Sequence, residues 1–187
     1  MTGVDLDDEG RREMTAAASI LRGVGNFRLQ SSPQPRTMQS ADIIAALCGC
    51  VVETAPAFDE IDVGDWTGAT FDHLDNDAGW QRWNEHRDVA RPPNGESMAE
   101  LQGRVTRHIE SLRHDEAPTV IVSHAEPIRA AMMHYLGVPL RRFYDIDIAP
   151  ASISTIVLQP TRTTVSRISG ELVGPSQDNA AEERCSR

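Results

Sequence analysis

The sequence predicts an α/β sandwich on a mainly parallel sheet, and three observations carry that expectation. Short β-branched runs alternate with helical patterns along most of the chain. The apolar residues of the run Thr119 to Ser123 do not alternate with polar ones, the habit of a parallel strand covered on both faces. Two strands give way to serine-containing turns that lead into helices opened by proline, at Pro35 and at Pro127. A chain of 187 residues, 40% of them apolar, is sized for one domain around one substantial core.

Taken in order, Met14, Ala17, Ala18 and Leu21 recur at three- and four-residue steps behind Asp7-Asp8-Glu9, and Gly23 and Gly25 follow. That spacing predicts an amphipathic helix whose acidic first turn suits the helix dipole. Phe27 to Gln30 is a short strand, stopped by Ser31-Ser32-Pro33. The helix from Pro35 then carries Met38, Ala41, Ile44 and Leu47, which sets Arg36 near its N-terminus. Val51 to Thr54 is a second strand, and AFDEIDVGDWTGA an acidic loop with two glycines.

A helical stretch with Trp80 and Trp83, both read as core residues, leads to the loop RPPNGE. Ser97-Met98-Ala99-Glu100 matches a capping box, and Leu101, Val105, Ile109 and Leu112 form the buried stripe of the helix it opens. After the 119–123 strand, Pro127 starts a helix that Gly137 ends. Ala151 to Leu158 and Thr163 to Ile168, separated by QPTR, form a hairpin. From Gly170 onward the chain is polar, so the expected organisation is a domain over 1–169 and a disordered tail over 170–187.

Composition narrows the function. A net charge of −10 repels nucleic acid and anionic membrane, so a phosphate-bearing ligand must be held by a few local arginines. No apolar run reaches the about 18 residues of a membrane span, and MTGVDLDDEG is acidic where a signal peptide is basic and then apolar. Cys48-Gly49-Cys50 is too close for the usual metal or redox pair, which points to a reducing, cytoplasmic setting. His73, His86, His108, His114 and His134 lack metal-ligand spacing and are assigned to helix surfaces and loops; no metal and no cofactor is expected.

In a parallel α/β sheet, ligands gather beyond the carboxyl ends of the strands. That brings together Arg36, behind one strand, and His124, behind another. His124 is held by a rigid element next to free helix amides, including that of Ala125, where an anion binds readily. Arg36 adds a permanent, bidentate cation. Glu60, in the acidic loop, is the candidate general acid, provided burial raises its pKa.

Five stretches, in order from about Val4 to Ile168, resemble the histidine phosphatase superfamily, also called the phosphoglycerate mutase-like family. SSPQPRTMQSA is similar to its Ser-Ser-Pro-x-x-Arg segment, and FDEIDVGDWTG to its Glu-x-x-x-Gly-x-Trp-x-Gly loop. RPPNGESMAELQGRV resembles its Pro-Gly-Gly-Glu-Ser segment, VIVSHAEPIRAAMMHYLGVPL its second-histidine segment, and IAPASISTIVL the strand that follows. The resemblance implies a three-layer α/β/α sandwich. It also implies hydrolysis of a small phosphorylated metabolite through a phosphohistidine, with Glu60 as acid and then base, and with His124 and Arg36 stabilising the phosphoryl group in flight.

The family's nucleophile lies in an Arg-His-Gly at the end of a first strand, and no Arg-His-Gly occurs in this chain. GVDLDDEGRREM already resembles the segment beyond it. The expectation is therefore a first strand that is missing, through a start assigned roughly twenty-five residues too late, a truncation or degeneration, with the first of these favoured. Its loss is expected to leave sheet amides and carbonyls unpaired. Where many members read Gly-Gly or Gly-Asp, this chain has Ala125-Glu126; Ala125 keeps its amide, and Glu126, if it faces the pocket, repels a highly charged substrate. The leading reading is a phosphomonoester phosphatase. The alternatives are a phosphoglycerate mutase, disfavoured by the short connection from Gly68 to Asn94, and a non-catalytic phosphate binder; oligomeric state stays open.

Overall fold

The computed structural model describes residues 4–159 and 163–167. The expected tail from Gly170 lies outside these residues, as does most of the QPTR turn. Three parallel strands form the main sheet: β1 (Arg28–Ser31), β2 (Val52–Thr54) and β3 (Thr119–Val122), in the spatial order β2-β1-β3. β1 pairs with both neighbours in register, Leu29 opposite Val52 and Val120. A separate antiparallel hairpin joins β4 (Ser154–Leu158) to β5 (Thr163–Arg167).

Helices cover both faces. α1 (Asp8–Leu21) and α2 (Pro35–Cys48) pack Ala18, Leu21, Ala41 and Ile44 onto Leu29, with Val52, Val120 and Val122 against them. α5 (Met98–Ser111) and α6 (Ala125–Leu136) bring Met98, Leu101, Val105 and Met133 to the opposite face, where Ile121 meets them. Val120 and Val122 point one way and Ile121 the other because successive side chains of a strand alternate between faces. Two short helices, α3 (Phe71–Leu74) and α4 (Ala78–Glu85), lie between; Trp83 is buried and Trp80, half-buried, packs against the same cluster.

Local chemistry places the ends. Asp7 caps α1, its carboxylate accepting from Gly10 N at 2.7 Å. Pro35 takes the first position of α2, where its missing N–H costs nothing. Gly49 and Gly137 close α2 and α6 in the left-handed conformation. The capping box of α5 is complete: Ser97 Oγ accepts from Glu100 N at 3.3 Å, and Glu100 accepts from Ser97 N at 2.9 Å.

Three expectations need correction. α6 opens at Ala125 with His124 as its N-cap, two residues ahead of Pro127; a proline is tolerated in a first turn, whose amides have no intrahelical acceptor. β3 is half-buried along its length, not enclosed, because a strand lies on only one side of it among the described residues. His108 is no surface residue: it is half-buried, 2.8 Å from Gln30 Oε1 and edge-on to Phe58, and burial lowers its pKa. His73, His86, His114 and His134 are exposed, as expected.

Ser97→Ala removes one half of the α5 capping box and is expected to lower the unfolding free energy by about 1 kcal/mol in urea titrations. An unchanged midpoint would show that the cap carries no stability.

Candidate functional site

The carboxyl ends of β1 and β3 deliver the site. β1 runs into Ser32, and α2 then lifts Arg36 over the sheet in its first turn. β3 runs into Ser123 and His124, with His124 in extended backbone before α6 begins. Glu60 arrives from the loop after β2. The three side chains picked out by sequence meet: Arg36 Nη2 lies 2.8 Å from His124 Nδ1 and 3.9 Å from Glu60 Oε2, and His124 Nδ1 is 4.0 Å from Glu60 Oε2. Together with Ala125 they line a cleft of ≈ 700 Å³.

A guanidinium only donates, so the contact from Arg36 makes Nδ1 of His124 an acceptor and leaves the ring proton on Nε2. That Nε2–H points at Ser32 Oγ, 2.8 Å away, and Ser32 Oγ in turn donates to Asp59 Oδ1 at 3.2 Å. The result is a directional chain from Arg36 through His124 and Ser32 to Asp59. His124 is buried, and burial followed by the nearby Arg36 charge pushes its pKa down to about 4, so the ring is neutral at physiological pH.

Glu60 shifts the other way. Burial, followed by the charge of Glu126, raises its pKa to about 7, so near neutrality a large fraction carries a proton. Glu126 is bracketed by Arg87 at 3.6 Å and Arg129 at 3.9 Å. Those two guanidiniums lie over the aromatic face of Phe143. The charge of Glu126 thus raises the pKa of Glu60, while two cations flank Glu126 itself.

The loop bearing Glu60 is pinned by groups that sequence reasoning missed. Arg104, from α5, donates to the carbonyls of Ala57 (2.7 Å), Asp59 (2.9 Å) and Glu60 (3.2 Å) while a bidentate pair with Glu96 orients its guanidinium. Ser123 Oγ donates to Phe58 O at 2.7 Å, tying the same loop to β3. Gly64, at φ +55°, lets the acidic loop close on the RPPNGE loop; a Cβ there would stand 2.0 Å from Pro93 O. Ser32, Asp59 and Arg104 were legible only as parts of quoted stretches, with nothing local to single them out. Among the described residues no group of three or more His, Cys, Asp or Glu is placed to hold a metal ion, and no helix is long and apolar enough to cross a membrane.

Known proteins share this arrangement of chain. The family model of the histidine phosphatase superfamily (branch 1) matches residues 1–170. Phosphoserine phosphatase 1 of Hydrogenobacter thermophilus is 29% identical over 168 residues, 88% of this chain and 80% of that protein. The probable phosphoglycerate mutase GpmB of an Enterobacter species is 31% identical over 174 residues, 90% of this chain and 80% of its own. Among solved structures, Bacillus stearothermophilus YhfR superposes with a TM-score of 0.83 at 21% identity, over 91% of this chain and 89% of that one. A mycobacterial glucosyl-3-phosphoglycerate phosphatase complexed with VO3 gives 0.76 at 25% identity, over 88% of both.

Because its folded-state pKa lies above the unfolded one, Glu60 holds a proton that the unfolded chain releases between pH 4.5 and 7, and it destabilises the fold as pH rises through that window. The stability difference between the wild type and Glu60→Gln is expected to move in favour of the wild type by up to about 3 kcal/mol on acidification from pH 8 to 4. Parallel pH profiles from chemical denaturation would show that Glu60 titrates normally.

Proposed function

The chain belongs to the histidine phosphatase superfamily, and from that premise we propose that it is the body of a phosphomonoester phosphatase working through a phosphohistidine. The observation that carries this reading is the convergence of Arg36 and Glu60 on His124, each within 4.0 Å. A permanent cation, a neutral imidazole that carries an N–H donor and a carboxyl group poised to give up a proton are what phosphoryl transfer needs around phosphorus.

In the proposed reaction an imidazole from an Arg-His-Gly segment, which residues 1–187 do not contain, attacks phosphorus as the ester P–O bond breaks. Glu60 gives its proton to the departing alkoxide. The resulting Glu60 carboxylate then takes a proton from water as the water oxygen attacks phosphorus and the N–P bond breaks, which restores both groups and releases phosphate. Arg36 neutralises charge on the phosphoryl oxygens, while the Nε2–H of His124, turned from Ser32, and the amide of Ala125 at the N-terminus of α6 donate hydrogen bonds to them. A small phosphorylated metabolite is the substrate class, and the site is proposed to act in the cytoplasm.

The likeness to a probable phosphoglycerate mutase supports a second reading, transfer of the phosphoryl group back to a sugar acid. Against it stands the short connection from Gly68 to Asn94, occupied by α3 and α4, which leaves little cover for a pocket that must hold its intermediate.

Assayed with p-nitrophenyl phosphate, a form extended upstream to include Arg-His-Gly is expected to turn over and the 187-residue chain to be inactive. In the extended form His124→Ala and Arg36→Ala are each expected to lose about a hundredfold in kcat/KM. With alkyl phosphates the rate is expected to fall above pH about 7 as Glu60 loses its proton, a limb that Glu60→Gln lacks. Interconversion of phosphoglycerates would favour the mutase, inactivity of both forms a phosphate-binding protein, and a phosphohistidine on the 187-residue chain would overturn the assignment of the nucleophile.

A further inference from the structure

We propose that Asp59 is a positioning residue of this site: its single carboxylate holds the acid Glu60 and, through the hydroxyl of Ser32, the imidazole of His124 in one register. The proposal rests on the phosphatase reading only for what the two groups so held are used for.

The first support is the number of segments that meet at this carboxylate. Asp59 Oδ1 accepts from the amide of Glu60 at 2.8 Å and from Ser32 Oγ at 3.2 Å, and Oδ2 accepts from Gln34 Nε2 at 3.2 Å. A contact with the next amide alone is ordinary loop chemistry. Ser32 and Gln34, however, belong to the turn between β1 and α2, 27 and 25 residues away. Ser32 in turn meets His124 at the end of β3, 92 residues further along the chain. One side chain therefore ties the Glu60 loop to the exits of both strands that deliver the site.

The second is direction. Ser32 is fully buried, so its one hydroxyl hydrogen needs an acceptor, and Asp59 supplies it. With that hydrogen committed, Ser32 has lone pairs left to offer, which is what the Nε2–H of His124 requires at 2.8 Å. Arg36 imposes the same arrangement from the other side of the ring by donating to Nδ1. The two ends of the chain agree, and each ring nitrogen meets a partner of the right kind.

The third is the peptide that joins Asp59 to Glu60. Its carbonyl accepts from Arg104 Nη2 at 2.9 Å, and its amide donates to Asp59 Oδ1. Arg104 and Ser123 grip carbonyls of this loop while Asp59 grips the amide, so the plane of the peptide is fixed from both ends. That plane sets where the Glu60 side chain departs, and with it the burial that keeps its pKa at about 7. The side chain of Asp59 is itself 34% exposed, so shortening it opens no cavity in the core.

The test is NMR on the 187-residue protein, isotope-labelled in its histidine rings and glutamate carboxyls, with three variants beside the wild type. In Asp59→Ala, exchange of the His124 Nε2–H is expected to accelerate about tenfold. In the same variant the pKa of Glu60 is expected to fall from about 7 toward 4.5, by about one unit or more. Asp59→Asn is expected to match the wild type in both readouts, since its Oδ1 still accepts from Ser32 and Glu60 while Gln34 turns its amide to present Oε1. Ser32→Ala is expected to free the ring N–H and leave Glu60 at about 7. A loss in Asp59→Asn equal to that in Asp59→Ala would make charge, not position, the cause and overturn the proposal, as would Asp59→Ala behaving like the wild type. Ring exchange unchanged in Ser32→Ala would overturn the link to His124. Inorganic phosphate added to the wild type is expected to shift the His124 ring resonances; no shift, with the contrasts among variants intact, would sink the phosphatase reading and keep the role of Asp59.

Discussion

The 2.8 Å contact between Arg36 Nη2 and His124 Nδ1 is the interaction on which the rest of the site depends. It chooses the tautomer of the imidazole, aims Nε2–H away from the cation, and helps keep the ring neutral in a buried position. Once the ring is so oriented, Ser32 and Asp59 follow in a single directional chain. Neither partner is fixed by its own element alone: Arg36 depends on the first turn of α2, His124 on the end of β3, and the parallel pairing of β1 with β3 holds both origins in one plane.

Charge is handled locally against an unfavourable background. The protein carries −10 overall, yet Arg36 lies beside a neutral histidine and a carboxyl group whose pKa is raised to about 7. Glu126 contributes to that state without leaving an isolated anion over the site, because Arg87 and Arg129 flank it. Arg104 serves the backbone instead, directing its donors to the carbonyls of the Glu60 loop and turning an irregular segment into a fixed support. Preorganisation of this kind is what makes a buried polar cluster effective in a low-dielectric setting.

Local sequence and tertiary position disagree at β3. Its four residues have the composition of an interior strand and the burial of an edge. Burial is decided by which elements lie beside a strand, and among the described residues a strand lies on only one side of β3.

Periodicity and turn chemistry were enough for much of the architecture. The helices bearing Ala18, Ile44, Leu101 and Val105, the capping box at Ser97, the terminating Gly137 and the parallel sheet all follow from local rules of burial and hydrogen bonding, which act within a few residues. Arg36, Glu60, Ala125 and His124 were nameable for the same reason, each standing at the end of a strand, in a helix's first turn or inside a motif. What required three dimensions were relations between distant segments: the tautomer of His124, the opposed protonation of His124 and Glu60, and the grip of Arg104 on a loop more than forty residues away. Burial and electrostatic coupling depend on which side chains share a space, and chain order alone does not specify that.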